Sequence, residues 1–153
     1  MRTYTVDPAA SEERLALALK ASRMGIWEWD ITTDHFSWSR EVKQLFGLKA
    51  DEPFTFEMYM DMVHPEDRTR IKQAFDAAVT SGREYRAERR IIWRDGSVHW
   101  LFGQGKAVFA DGKPVRMICT CMNVDAIKRA DELTVINKAL KDDQHVWVLL
   151  RGI

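Results

Sequence analysis

Arg94-Asp95-Gly96-Ser97-Val98-His99-Trp100 reads as the turn and outgoing strand of a β-hairpin, and it decides the fold of this 153-residue chain. Asp95-Gly96 is a pair that tolerates the positive φ of a tight hairpin turn, and strand-like runs flank it. Working outward, Tyr85 to Trp93 is the predicted incoming strand. Val98 to Phe109 and Val115 to Val124 are predicted strands joined by a second hairpin at Asp111-Gly112. Far upstream, Gly25-Ile26-Trp27-Glu28-Trp29-Asp30-Ile31 alternates with period two. Trp27, Trp29 and Ile31 share one face of that strand, and Ile26, Glu28 and Asp30 share the other. His35 to Trp38 makes a short second strand after the turn Thr32-Thr33-Asp34.

Helical periodicity fills the gap between these strands. Ser39 caps a stripe of Val42, Leu45 and Phe46 that closes at Gly47, and Thr55 caps Phe56, Tyr59, Met60 and Val63. Pro65 suits a first helical position, followed by Glu66 and Asp67; the stripe Ile71, Ala74, Phe75, Ala78 and Val79 stops at Gly82. Five strands with helices inserted after the second predict an α+β domain, an antiparallel sheet covered on one face. A separate N-terminal helix, starting at Asp7-Pro8 or Ser11 and ending near Ser22, carries Leu15, Ala18 and Leu19.

With this order and spacing, the chain from about residue 23 to 126 resembles a PAS domain of the bacterial sensory-box type with a C-terminal PAC motif. The resemblance is carried by Trp27-Glu28-Trp29-Asp30, Trp38-Ser39, Leu45-Phe46-Gly47, His64-Pro65-Glu66-Asp67-Arg68, Glu88-Arg89-Arg90 and Asp95 to Trp100. It is closest in character to the subclass found ahead of histidine kinase and diguanylate cyclase modules. That implies the PAS fold: a five-stranded antiparallel sheet with helices on one face and flanking N- and C-terminal helices. It also implies a regulatory role in signal transduction. Where such domains often end in Asp-Ile-Thr, this chain has Asn123-Val124-Asp125. The organisation expected is an N-terminal helical cap over 1–22, the PAS domain over 23–126, and an output or linker helix and tail over 127–153.

Composition agrees with a globular domain: 46% apolar and 30% charged residues, with 23 basic against 23 acidic. A neutral total supplies no field for nucleic acid or an anionic membrane. No apolar run reaches the length of a membrane span, and Met1 to Asp7 lacks a signal-peptide core, so a cytoplasmic location is expected. Arg83, Arg86, Arg89, Arg90 and Arg94, interleaved with Glu84 and Glu88, read as cross-strand ion pairing on a solvated face.

Chemistry is sparse in the sequence. Cys119 and Cys121 fall on one face of the last strand, where they read as small buried apolar residues; a disulfide is strained there and a metal lacks further ligands. No histidine lies on the helix from Asp67 to Ser81 to ligate haem. The cysteines are on the wrong element for the covalent flavin chemistry of blue-light relatives, and no nucleophile motif is present. No catalytic or metal-binding residue is predicted, and no cofactor. The inward face is expected to carry Trp27, Trp29, Leu101, Gly103, Gly105, Met117, Cys119 and Cys121, with the two glycines leaving space. That interior either holds an unidentified small molecule, making the chain a ligand-responsive sensor, or is filled by side chains in a ligand-free dimerisation and relay module.

From Asp125 the period changes. Ala126, Ala130, Leu133, Asn137, Leu140, Gln144 and Trp147 alternate four and three apart, which reads as a heptad seam with Asn137 at a core position; a single helix folding back on the sheet would show nearly the same pattern. A homodimer is expected through this helix and through Leu15 and Leu19 of the N-terminal one, with a signalling effector as the further partner. The run Val146 to Leu150 is unusually apolar, and no role follows from its sequence.

Overall fold

A computed structural model describes the backbone of residues 8–151 and the side chains of residues 9–18 and 20–142. The chain runs α1 (Pro8–Ser22), β1 (Gly25–Asp30), β2 (His35–Trp38), α2 (Arg40–Leu45), α3 (Phe56–Met62), α4 (Pro65–Ser81), β3 (Tyr85–Ile92), β4 (Val98–Ala110), β5 (Lys113–Asn123) and α5 (Asp125–Arg151). The strands form one sheet in the order β2-β1-β5-β4-β3, every neighbouring pair antiparallel. The last strand therefore sits between the first and the fourth, which locks both ends of the domain into one ladder. The chain divides into two compact units, one ending at Asn123 and one starting at Val124.

Local chemistry fixes the helix ends. The Ser39 hydroxyl accepts from the Val42 amide and the Thr55 hydroxyl from the Met58 amide, so each serves as an N-cap. At the start of α4 the His64 ring Nδ1 accepts from the Glu66 amide, and Pro65 occupies the first turn. Arg68 reaches back to the carbonyls of Val63 and Asp61 at the end of α3, 3.0 and 2.9 Å away. The His64 to Arg68 motif is thus a joint between two helices.

The two hairpins differ in kind. At Asp111-Gly112 both residues take positive φ, 51° and 74°. At Asp95-Gly96 only Gly96 does, at 84°, and Asp95 acts through its carboxylate, which accepts from the Ser97 amide and hydroxyl. The expectation that this pair shares a positive φ is corrected accordingly: it is a longer loop with one left-handed glycine.

Alternation along each strand sorts the faces. Trp27, Tyr85, Ala87, Ile91, Leu101, Met117, Cys119 and Cys121 are buried in the core with Val42, Phe46, Tyr59, Ile71, Phe75 and Ala78 from the helices. Trp27 stands at its centre, 1% exposed, with ring centroids of Trp38 and Phe75 at 5.5 and 5.4 Å.

Candidate functional site

Arg89 is the anomaly of the core. It lies on β3 between Ala87 and Ile91 on the inward face and is fully buried. Its guanidinium rests 5.5 Å from the Tyr59 ring centre and donates through Nη2 to the Cys121 sulfur at 2.8 Å. Nε and Nη1 have no hydrogen-bond partner. The reading of the basic cluster as one solvated face is corrected at this position. Arg86 and Glu88 do face outward and Arg90 makes ion pairs, but Arg89 is on the opposite side of the pleat. The signal was present as Tyr85, Ala87, Arg89 and Ile91 at spacing two, all on the buried face.

Neither Gly103 nor Gly105 has room for a Cβ. A Cβ at Gly103 would lie 2.5 Å from Arg89 Nη1 and 3.1 Å from Tyr85, so glycine is what admits the guanidinium. Gly105 packs against Cys119 and the Ile118 backbone in the same manner. The expected room across the sheet is thus occupied by Arg89 and by a thiol.

Electrostatics separate the groups around this point. Burial pushes the Tyr59 and Tyr85 phenols up, and burial pushes the Cys119 thiol up as well. Burial opposes the charge on Arg89, yet the neighbouring Cys121 sulfur and the two phenol oxygens hold its pKa above the ordinary value. Outside the core, Asp67 accepts from the Arg90 amide and from its guanidinium at 2.8–3.1 Å. These bonds from Arg90 hold the Asp67 carboxyl down at about 2, against a smaller opposing effect of burial.

A groove of about 610 Å³ opens between β1–β2 and helices α3 and α4. Trp29, Phe36, Phe54, Phe56, Phe75 and Val79 give it aromatic and aliphatic walls, and Asp34, Glu57, Lys72 and Asp76 are polar members of the lining. Trp29 stacks on Phe36 at 5.3 Å and donates to Asp34 at 2.9 Å. Among the described residues no group of His, Cys, Asp and Glu could hold a metal ion, and no helix is long and apolar enough to cross a membrane.

With the sheet order, the capped helices and the inward face in place, residues 35–121 match the family model described as the PAS fold. The chain belongs to the PAS-fold family. Curated relatives of this PAS domain include blue-light-activated histidine kinases of Brucella anthropi, 31% identical over 129 residues, and of Brucella ovis, 30% identical over 139 residues. These matches cover 84% and 91% of the chain but 26% and 27% of the relatives, so the chain spans about a quarter of their length. A sensory box histidine kinase/response regulator from Burkholderia thailandensis superposes with a TM-score of 0.71 at 29% identity, over 84% of this chain and 98% of that one. The N-terminal domain of a diguanylate cyclase with PAS/PAC sensor from Marinobacter aquaeolei shares the fold, with a TM-score of 0.62 at 20% identity over 69% and 98% of the two chains. The chain is therefore a PAS sensory module of the kind found in signal-transduction kinases, a regulatory domain.

Of the residues the sequence singled out, the PAS core brings Trp27, Leu101, Gly103, Met117, Cys119 and Cys121 together on the buried face. Gly105 is paired to Cys119 and only half-buried. Trp29 is half-buried and lines the groove, which corrects the expectation that it is mostly buried beside Trp27. The groove residues Phe36, Phe54, Phe56 and Phe75 were not among the sequence candidates, although Phe36 alternates with Ser37 on β2 as an inward residue does. On the flanking helices Leu15, Ala130, Leu133, Asn137 and Leu140 are all exposed. Leu19, Gln144, Trp147 and the apolar run Val146 to Leu150 lie outside the described side chains, and Met1 to Asp7 outside the described residues.

Proposed function

We propose that this PAS domain is an input or relay module of a larger cytoplasmic sensor, that it has no catalytic activity of its own, and that it works as a parallel homodimer through α1 and α5. The observation that carries the reading is the surface of α5. It is one unbroken helix, and every side chain from Arg129 to Asp142 is exposed, including Leu133 at 59% and Leu140 at 56%. Ile127 and Ile136 widen the same stripe beside the a and d positions. A helix with that much apolar surface is stable in water only against a partner. Asn137, placed between Leu133 and Leu140, costs some stability in a dimer and fixes register. The histidine kinase relatives are the reason to expect a kinase-type effector beyond the helix.

Removing residues 126–153 is expected to turn a dimer into a monomer while the domain stays folded. Light scattering at micromolar concentration on the full and shortened chains checks this, with circular dichroism on both. Equal masses would place the dimer contact elsewhere or remove it.

A second reading, a ligand-responsive sensor, is favoured by the groove at Trp29, whose volume and aromatic walls suit a small molecule. The relatives' names refer to blue light, but neither thiol of this chain is placed for a covalent flavin adduct: both are on β5, buried against β1 and β4. Purified protein is accordingly expected to be colourless, with no visible absorption band surviving gel filtration. A stoichiometric flavin or Soret band would overturn that expectation.

A further inference from the structure

We propose that the groove beside Trp29 binds a small organic cation with an aromatic body, an arylalkylamine by chemical class. The proposal rests on the reading of the chain as a ligand-responsive sensor and adds which ligand chemistry the groove takes. Its volume of about 610 Å³ lies within the range of small-molecule sites. The rings of its lining are set at defined angles to one another. Trp29 and Phe36 are 7° from parallel and Phe36 and Phe56 17°, while Phe56 and Phe75 meet at 87°. Rings at these angles can meet a flat ligand with a face and an edge at once, the two ways in which aromatic rings pack. Phe75 also belongs to the buried core, where its ring stacks on Tyr85 at 4.6 Å, so the groove is backed by the packed interior.

Charge decides the class of ligand. Among the described residues, Asp34, Glu57 and Asp76 line the groove against one cation, Lys72. None of these four forms an ion pair with a described residue, so the lining is left with a net negative charge. Lys72 and Asp76 stand one helical turn apart on α4 and still do not pair. Asp34 is set in place by the groove itself: one of its oxygens accepts from the Trp29 indole at 2.9 Å. The aromatic walls add to the same preference, because the face of a ring attracts a cation. Carboxylates and phosphate esters would instead meet repulsion from three acids.

The test uses three probes that share a phenyl ring and differ in charge: phenethylamine, phenylethanol and phenylpropionate. Each is titrated into the nitrogen-15-labelled full chain at neutral pH and low salt. The signal followed is the indole N–H of Trp29, assigned by its loss in Trp29→Phe. The amine is expected to move that signal saturably, with an affinity about fivefold or more above that of the alcohol and further above that of the carboxylate. Asp34→Asn combined with Asp76→Asn should bring amine and alcohol within about twofold of each other. Asparagine suits position 34, whose φ is 56°, and its amide oxygen can still accept from the indole. Lys72→Gln, which removes the opposing charge, should strengthen amine binding. All three substituted side chains are exposed, so these variants leave the core packing intact.

An alcohol or carboxylate that binds as tightly as the amine overturns the proposal and leaves a small-molecule groove in place. A doubly substituted variant that keeps the parent's preference for the amine does the same. If no probe moves the Trp29 signal, the proposal and the sensor reading of this groove fall together. A Trp29 signal that shifts with protein concentration and not with amine assigns the groove to a second copy of the chain, and overturns both as well.

Discussion

Trp27→Ala is expected to lower the unfolding free energy by about 3–5 kcal/mol, the cost of truncating a large buried aromatic whose site cannot collapse. The indole is 1% exposed and is enclosed by Phe36, Trp38, Tyr59 and Phe75, with centroids 5.4–6.2 Å away. Its backbone pairs with Trp38 on one side and Cys119 on the other, so both strands that could close the void are held by the ladder. Trp29→Ala should cost less, on the order of 1–2 kcal/mol, because that ring is half-buried and loses mainly its stacking on Phe36 and its bond to Asp34. Urea melts of both variants give the comparison. Equal losses would mean that Trp29 is covered by something in solution, which points to the groove and to an occupant.

The contrast between these tryptophans marks how far sequence reasoning reaches. Alternation places both on one face, and both do point to that face. It does not say where along the strand the helices stop, and α3 and α4 cover Trp27 while leaving a groove at Trp29. Element order, caps and hairpins were legible because each rests on a local rule: Ser39 and Thr55 cap as hydroxyl residues do, and Gly82 ends α4 at φ 68°. Arg89 was legible too, by the same period-two rule, yet its charge suggested the surface. The general expectation that arginine faces water lost to a specific site that Gly103 makes room for. Contacts brought together by chain folding, such as Trp93 donating to the Leu45 carbonyl from 48 positions away, have no local signature at all.

Asp67→Asn is expected to remove about 2 kcal/mol of stability at neutral pH and to flatten the acid limb of the stability curve. Asp67 joins the first turn of α4 to β3, accepting from the Arg90 amide at 2.9 Å and from its guanidinium at 2.8 and 3.1 Å. These bonds favour the carboxylate and hold it at about 2 instead of 3.8. A folded-state pKa below the unfolded one means that protons bind the unfolded chain more readily, so the contribution is complete above about pH 4 and disappears as pH falls through about 2. The difference between the two values corresponds to about 2 kcal/mol. Arg90 also pairs with Glu66, but that carboxylate is largely exposed and replaces little of the loss. Asp30, Glu52 and Asp95 are lowered by their own hydrogen bonds, so the parent loses stability in acid at several sites. The decisive quantity is therefore the parent-minus-variant difference, measured by urea melts from pH 7 down to the lowest pH at which both remain folded. It should be largest at neutral pH and shrink toward zero near pH 2. A difference that stays constant across that range would show that Asp67 acts through shape and neutral hydrogen bonding, with its charge contributing nothing to holding α4 on the sheet.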